Sequence, residues 1–565
     1  MSTEYDNKDR MMDEDVKDLK EHVQHLENGP TSTADAEVPY PETLKNMLEA
    51  PTREMLQQGY DLVKEDSKLK LGASLKKEWK LVLVCLPYLL SSLGCGFDNG
   101  ATGITAAMPA YLLYFGGFDP VTHSLSIDSK WVALWGSMTQ ICIAFGAMVC
   151  GWFLERYGPR MTNFGASVFI LPAIAVQVLA NSPGMLLAGK MLGGLPNGIF
   201  VASAANFISE ACTQNLRPMM SSLLGFCGLI GVTCGIATGF ERIPFVNSDW
   251  LSWRLVLAIQ WIFPFITVIG LLFVPTSPVF LVKRGRPAEA AKALARLHNL
   301  KDESIIRARL AVVQHTVAME QEATATLGSA TFMDLFRNPI DRQRTLLTVG
   351  VWTCYNMAGA AFLGSGLYFL QQQGLDVIIA TKITLGMLAL SGLTNVLVGY
   401  CLGRFGRRFC FVYCNAFHCL VLTCLGCLGF AKNKSAGWGV AVVLNFAICT
   451  AQLSTGGASF ALNAEISSLR LRAKTVSFGF FISYFLAWLT SFVTPYIFQS
   501  PGYLGAKTAL IYAGLTGLGV VWAYFYIPET NGRTAAEIDI LFEQGIPARK
   551  WKGTNIAHMM ESREE

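Results

Sequence analysis

The sequence predicts an all-α membrane protein of twelve transmembrane helices, arranged as two six-helix halves with an intracellular helical segment between them. Three observations predict it. Of the 565 residues, 52% are hydrophobic and 15% charged, with a mean hydropathy of +0.38, which is poorer in charge than soluble chains. Apolar runs of roughly 20 residues, enough to cross about 30 Å of hydrocarbon at 1.5 Å rise, occur twelve times. Landmarks in the first six runs also recur in the second six at a nearly constant offset.

Taken in order, residues 1–76 form a cytoplasmic acidic head with 17 acidic and 10 basic side chains. Low aromatic content predicts disorder there, with transient helix around 43–64. Met1–Arg10 has no apolar core, so no cleavable signal peptide is expected and the first span directs insertion. The first bundle, 77–282, has runs near 81–105, 131–154, 161–180, 185–207, 218–240 and 255–275. A cytoplasmic linker, 283–344, carries 11 basic and 7 acidic residues. Ala291, Leu294, Ala295 and Leu297 recur there at helical spacing. The second bundle, 345–528, has runs near 345–370, 380–402, 409–431, 437–462, 475–499 and 508–527, and 529–565 is a cytoplasmic tail.

Orientation follows from the basic residues. With the N-terminus inside, the inner loops and the linker hold 20 Lys and Arg against 7 in the outer loops, so both termini are assigned to the cytoplasm. The fifteen cysteines all lie between Cys85 and Cys449, mostly within apolar runs, and read as packing residues, the Cys424/Cys427 pair included. Gly231, Gly235 and Gly239 recur every four residues on span 5, which favours close helix contact. The dispersed +11 net charge outside the head argues against nucleic-acid binding. No histidine cluster, phosphate loop or paired catalytic carboxylates appear, so neither an enzyme nor a metal site is expected.

The repeat is specific. Gly151, Arg156, Tyr157, Gly158 and Arg160 match Gly399, Arg404, Phe405, Gly406 and Arg408 at an offset of 248. Glu210 precedes Arg217 by seven residues, as Glu465 precedes Arg472, and Pro275 matches Pro528. Two such bundles can rock about a central site and expose it to one side at a time. At the inner face, Arg156, Arg160, Arg217, Arg404, Arg408 and Arg472 have Glu155, Glu210 and Glu465 as partners for a charge latch in the state where that face is closed; the plainer alternative is that the arginines only anchor topology.

These motifs, with Gly96-Phe97-Asp98, Trp253-Arg254, Gln260, Pro275-Thr276-Ser277-Pro278, Asn356 with Gly359, Tyr368-Phe369 and Pro528-Glu529-Thr530, resemble the sugar porters of the major facilitator superfamily. Within them the chain resembles the fungal maltose and α-glucoside permeases. The resemblance covers about 80–552. It implies the major facilitator fold, alternating access, a fungal plasma-membrane location, a sugar substrate and a proton gradient in place of any cofactor. A monomer in the lipid bilayer is expected.

Asp98 and Lys190 are the ionisable side chains well inside first-half spans, where an unpaired charge costs on the order of 3 kcal/mol. Counting 1.5 Å per residue gives them similar depth, so a pair can form. The resemblance implies proton uptake at Asp98 with Lys190 as its counter-charge; alternatively Lys190 snorkels outward and Asp98 caps a broken helix. For the substrate, sugar hydroxyls require polar partners and an aromatic face. Gln140, Asn206, Tyr355, Asn356, Ser365, Asn395, Gln452 and Phe460 are the candidates, with Trp352 and Trp488 as further ones, and Tyr355 and Asn356 lie in the span where the family binds substrate. The chain departs from the family's pattern with Gly225 in span 5, Tyr355 in span 7 and Phe460 in span 10, giving a less polar cavity. Two alternatives to α-glucoside/proton symport therefore stand: a carrier of a less polar metabolite, imported or exported, and a nutrient receptor that binds without transporting.

Overall fold

The computed structural model describes the chain from 51 to 553 apart from 69–70, 120–123, 214–215, 245–249, 328–331, 365, 368–369, 371–375, 432–433, 468–470, 499–501 and 531–534. Among the described residues, eleven helices are long and apolar enough to cross a membrane. One of them, Ser129–Val178, has 50 residues and breaks at Gly158; at 1.5 Å per residue it is about 75 Å long, two crossings rather than one. Spans 2 and 3 are its two arms, so the eleven helices supply the twelve crossings. A short antiparallel pair, Gly117–Asp119 with Ser124–Ser126, follows span 1 and is the one addition to an otherwise helical chain among the described residues.

The first half contains span 1 (Trp79–Thr105), spans 2 and 3, span 4 (Pro183–Ala211), span 5 (Arg217–Phe240) and span 6 (Ser252–Phe273). Helices Pro278–Lys283, Pro287–Leu297 and Glu303–Leu327 form the linker. The second half contains span 7 (Pro339–Gly364), span 8 (Val377–Phe405), span 9 (Arg407–Leu428), span 10 (Gly437–Phe460), span 11 (Arg472–Phe498) and span 12 (Gly505–Tyr526). The face bearing the linker helices is called the linker face below, and the opposite one the far face.

Span 1 and span 5 almost touch. A Cβ built on Gly96 falls 1.9 Å from the Gly228 carbonyl oxygen, and one on Gly231 falls 2.0 Å from that of Leu93. Small residues one turn apart allow this approach, and it fixes the height and rotation of the helix that carries Asp98. The halves meet towards the far face, where Gly136 of span 2 lies against Ser491 of span 11 and Gly103 of span 1 against the Gly364 carbonyl of span 7, and also deeper, where Gly392 of span 8 lies against Phe226 and Leu229 of span 5.

The head departs from the expectation of disorder. Arg53–Lys68 is a helix docked on the linker helix Glu303–Leu327. Leu56, Gly59 and Tyr60 lie on one face. Leu56 is fully buried, and Gly59 sits over Ala308 and Val312 so closely that a Cβ would clash. Asp66 accepts from Lys77 at 2.7 Å and from Arg309. The Tyr60 hydroxyl meets His315 Nδ1 at 3.0 Å, and burial pushes that hydroxyl up to about 12. The charged residues that predict disorder thus include those that hold the helix. The remainder of the head, 1–50, lies outside the described residues. At the other end, Ile538, Leu541, Phe542 and Trp551 of the tail are buried against the second half.

Candidate functional site

Two sites occupy different halves. In the first, Lys190 Nζ donates to Asp98 Oδ1 at 2.7 Å and to Thr102 Oγ1 at 2.5 Å. Gln260 Nε2 donates to the same carboxylate oxygen at 3.2 Å, and Asn197 Nδ2 to Oδ2 at 3.3 Å. Both charged residues are buried. Removing two charges from water costs several kcal/mol each, and a buried pair is tolerated only when further hydrogen bonds fill the remaining valences; Gln260, Asn197 and Thr102 fill them. Lys190 therefore does not snorkel. A cavity of about 20 Å³, the size of one water, borders Asp98, Gln260 and Thr267.

The second site centres on Trp352 of span 7. Its ring meets Tyr355 edge-on at 5.5 Å, Phe460 edge-on at 5.1 Å and Phe480 at 5.3 Å. Asn356 Nδ2 donates to Ser483 Oγ at 3.3 Å and to the Trp352 carbonyl at 3.0 Å. Trp352 Nε1 and Asn463 Oδ1 are buried without a partner among the described residues. Both converge on Gly479, where a Cβ would lie 2.8 Å from the first and 2.6 Å from the second. A donor and an acceptor side by side match a hydroxyl, which both accepts and donates. Phe460 is half-exposed and forms one wall of this aromatic enclosure.

The other predicted site residues are more scattered. Gln140, Asn206, Asn395 and Gln452 are half-buried on spans 2, 4, 8 and 10, and Asn206 Oδ1 has no partner among the described residues. Ser365 lies outside the described residues. Asn99 was not anticipated from sequence: it is exposed in the last third of span 1, one turn from Gly103 and so on the face turned to the second half. Asn197, Asn463 and Gly479 also went unnoticed, because an isolated Asn or Gly in an apolar run is indistinguishable from helix packing.

At the linker face the repeat reappears in three dimensions. Gly158 (φ 77°, ψ 166°) and Gly406 (φ 94°, ψ 163°) break their helices in the same conformation, open essentially to glycine alone. After each break an arginine ties down the end of the last span of its half. Arg160 donates to the Leu271 and Leu272 carbonyls at 2.9 Å, and Arg408 to the Tyr524 carbonyl at 2.8 Å. Each acid at the end of the fourth helix of its half accepts from a hydroxyl beyond the sixth, Glu210 from Ser277 and Glu465 from Thr530 at 2.5 Å.

The latch belongs to a state closed at the inner face, and in the conformation described the charges stand otherwise. Glu465 pairs with Arg407 at 2.7 Å, whereas Arg408 is engaged with carbonyls and Arg404 is exposed. Arg160 likewise serves carbonyls. Arg156 and Glu155 are exposed, Arg156 stacking on Trp152 at 5.4 Å and Tyr157 at 5.7 Å. Arg217 and Arg472 open spans 5 and 11.

Two bundles related by an internal repeat, one with a buried charge pair and the other with an aromatic enclosure, are the architecture of a membrane transporter. The chain belongs to the sugar (and other) transporter family, which it matches over residues 84–542. It is 31% identical to the general alpha-glucoside permease of Saccharomyces cerevisiae, over 87% of this chain and 80% of that one. It is 30% identical to the MFS transporter fmqE of Aspergillus fumigatus, over 85% and 89%. Among solved structures, the proton:xylose symporter XylE bound to 6-bromo-6-deoxy-D-glucose superposes with a TM-score of 0.65 at 18% identity, covering 82% of this chain and 100% of that one. The protein is a sugar-porter-type transporter of the major facilitator superfamily, not an enzyme.

Proposed function

We propose that the protein is a proton-coupled sugar symporter of α-glucoside type, working as a monomer by alternating access in a fungal plasma membrane. The linker face and both termini lie in the cytoplasm, a reading supported by the 20 to 7 excess of basic residues on that side. The observation that carries the coupling is the buried Asp98–Lys190 pair. With its counter-charge 2.7 Å away, the site is neutral overall. A proton delivered from outside makes it net positive in a low-dielectric interior, an unfavourable state that closure and release to the cytoplasm relieve. The contacts of Gly136 with Ser491 and of Gly103 with Gly364 support a conformation closed outside, in which Glu210 and Glu465 are held by hydroxyls of their own half.

The sugar reading is supported by the likeness to the alpha-glucoside permease and by the donor–acceptor couple of Trp352 and Asn463. A second reading, a less polar substrate, is favoured by the Tyr355, Phe460 and Phe480 rings around Trp352. The test is uptake of radiolabelled mono- and disaccharides into transporter-deficient yeast expressing the chain, with external pH recorded and surface delivery checked. Saturable uptake with alkalinisation supports symport. No uptake despite delivery overturns it in favour of the less polar metabolite, and ligand binding without flux favours a receptor. Tyr355→Gln adds a direct check, since a gain of disaccharide uptake assigns that ring to the site.

A further inference from the structure

We propose that the cleft between the span 2–3 turn and the first linker helix is a binding site for the headgroup of an anionic phospholipid. The cleft holds about 640 Å³ and is lined by Arg156, Tyr157, Phe280, Leu281, Arg284 and Arg286, a volume within the ordinary range for small-molecule sites. Three guanidinium groups converge on it, and two have no carboxylate partner among the described residues. Arg156 makes only ring contacts through its guanidinium, with Trp152 and Tyr157. Arg284 donates to the Glu155 and Arg156 carbonyls at 3.2 and 2.7 Å, which fixes its position, and lies over Phe280 at 5.6 Å. Arg286 contacts Glu289 at 3.7 Å. Glu155 is exposed beside the cleft, so the net charge there is positive.

Location selects the occupant. Trp152 and Tyr157, on which Arg156 stacks, are exposed, and so are Leu272 and Phe273 at the end of span 6, Phe273 at 82%. Large apolar side chains at the end of membrane spans contact acyl chains, and aromatic rings with arginines mark the headgroup level. The cleft thus sets phosphate-binding arginines beside exposed rings at the headgroup level. The cytoplasmic leaflet carries the anionic lipids, and basic pockets on that side bind their headgroups. Gly158 makes the cleft possible: a Cβ there would fall 2.9 Å from the Phe280 ring, which forms the floor. An occupant bridging Arg156 and Arg284 ties the span 2–3 turn to the linker, and it does so whatever the transported substrate is.

The experiment measures binding of dioctanoyl phosphatidylinositol 4-phosphate to the purified full chain in non-ionic detergent, with dioctanoyl phosphatidylcholine and water-soluble inositol 1,4-bisphosphate as comparisons. Saturable binding of the anionic lipid at least about ten-fold tighter than the zwitterionic one is expected, since each basic residue contributes about five-fold. Arg156→Gln should weaken it about five-fold, and Arg156→Gln with Arg284→Gln about thirty-fold. Because the Arg156 guanidinium makes no hydrogen bond among the described residues, its single variant keeps the test decisive if the double variant does not fold. Equal binding of the two lipids, or unchanged affinity in Arg156→Gln, overturns the proposal. Soluble headgroup binding as tightly as the lipid assigns the cleft to a free phosphate ester and overturns the lipid as occupant.

Discussion

Replacing Asp98 by Asn should convert a concentrating transporter into one that only equilibrates its substrate. The exchange keeps the side chain's size and one oxygen but removes the charge that Lys190 meets at 2.7 Å and the group proposed to carry the proton. One charge moved through 100 mV provides about 2.3 kcal/mol, enough for nearly fifty-fold accumulation. In proteoliposomes held at about 100 mV, inside negative, labelled maltose should accumulate about fifty-fold through the wild type and only to equality through Asp98→Asn, while exchange of labelled for unlabelled sugar continues in both. The variant also leaves Lys190 buried without its counter-ion, a loss of about 3–5 kcal/mol when one member of a buried pair is removed. Asp98→Asn should therefore melt earlier, and adding Lys190→Met should recover much of that loss, because an uncharged pair has no such penalty. Undiminished accumulation by a correctly inserted Asp98→Asn transporter would sink the coupling role, and equal melting of the single and double variants would sink the electrostatic account of the pair.

Three further outcomes follow from other parts of the molecule. Gly479→Ala inserts a methyl group 2.6 Å from Asn463 Oδ1 and 2.8 Å from Trp352 Nε1, so it should raise the KM for the transported substrate at least about ten-fold if one good hydrogen bond of about 1.4 kcal/mol is lost; an unchanged KM would remove these two groups from the site. Gly406→Ala forces a side chain into φ 94° and against Glu529, a cost of about 1–3 kcal/mol readable as a lower melting temperature, whereas Gly165→Ala, with open space around it, should stay within about 0.5 kcal/mol of the parent. Tyr60 ionises near 10 when the helix Arg53–Lys68 is free and near 12 when it is docked. Its stabilising contribution is complete below pH 10 and is lost as pH rises through 12, so protease cleavage within 53–68 should accelerate only above pH 10.

The apolar runs made the twelve crossings readable because lipid demands a length and a composition that few other environments demand. The Asp98–Lys190 juxtaposition was readable for the same reason: in a charge-poor interior two opposite charges at one depth have few other partners. Arg407 was not. The repeat aligns it with Pro159, which carries neither charge nor N–H, so matching the halves directs attention to Arg404 and Arg408 instead. The second half uses what Pro159 lacks, since the Arg407 N–H donates to Glu529 at 2.9 Å while its guanidinium reaches Glu465. The helix at 53–68 was readable in part, as the transient helix expected around 43–64, but its docking was hidden, with Leu56, Gly59 and Tyr60 diluted among charges and Asp66 meeting Arg309 some 240 residues away in the linker. Gly479 left no sign at all, because a missing Cβ acquires meaning only from the Trp352 and Asn463 atoms around it.

The separation of the two sites between the halves has a consequence for how such proteins diversify. Asp98, Lys190, Asn197 and Gln260 all belong to the first bundle, where a glycine seam welds span 1 to span 5. Trp352, Tyr355, Phe460, Asn463 and Gly479 all belong to the second. With coupling proposed at Asp98 and substrate at the Trp352 enclosure, a lineage could exchange cargo by altering a few wall residues in one module while inheriting its energy source intact in the other. Relatives that share the engine and differ in what they carry are the expected product of that arrangement.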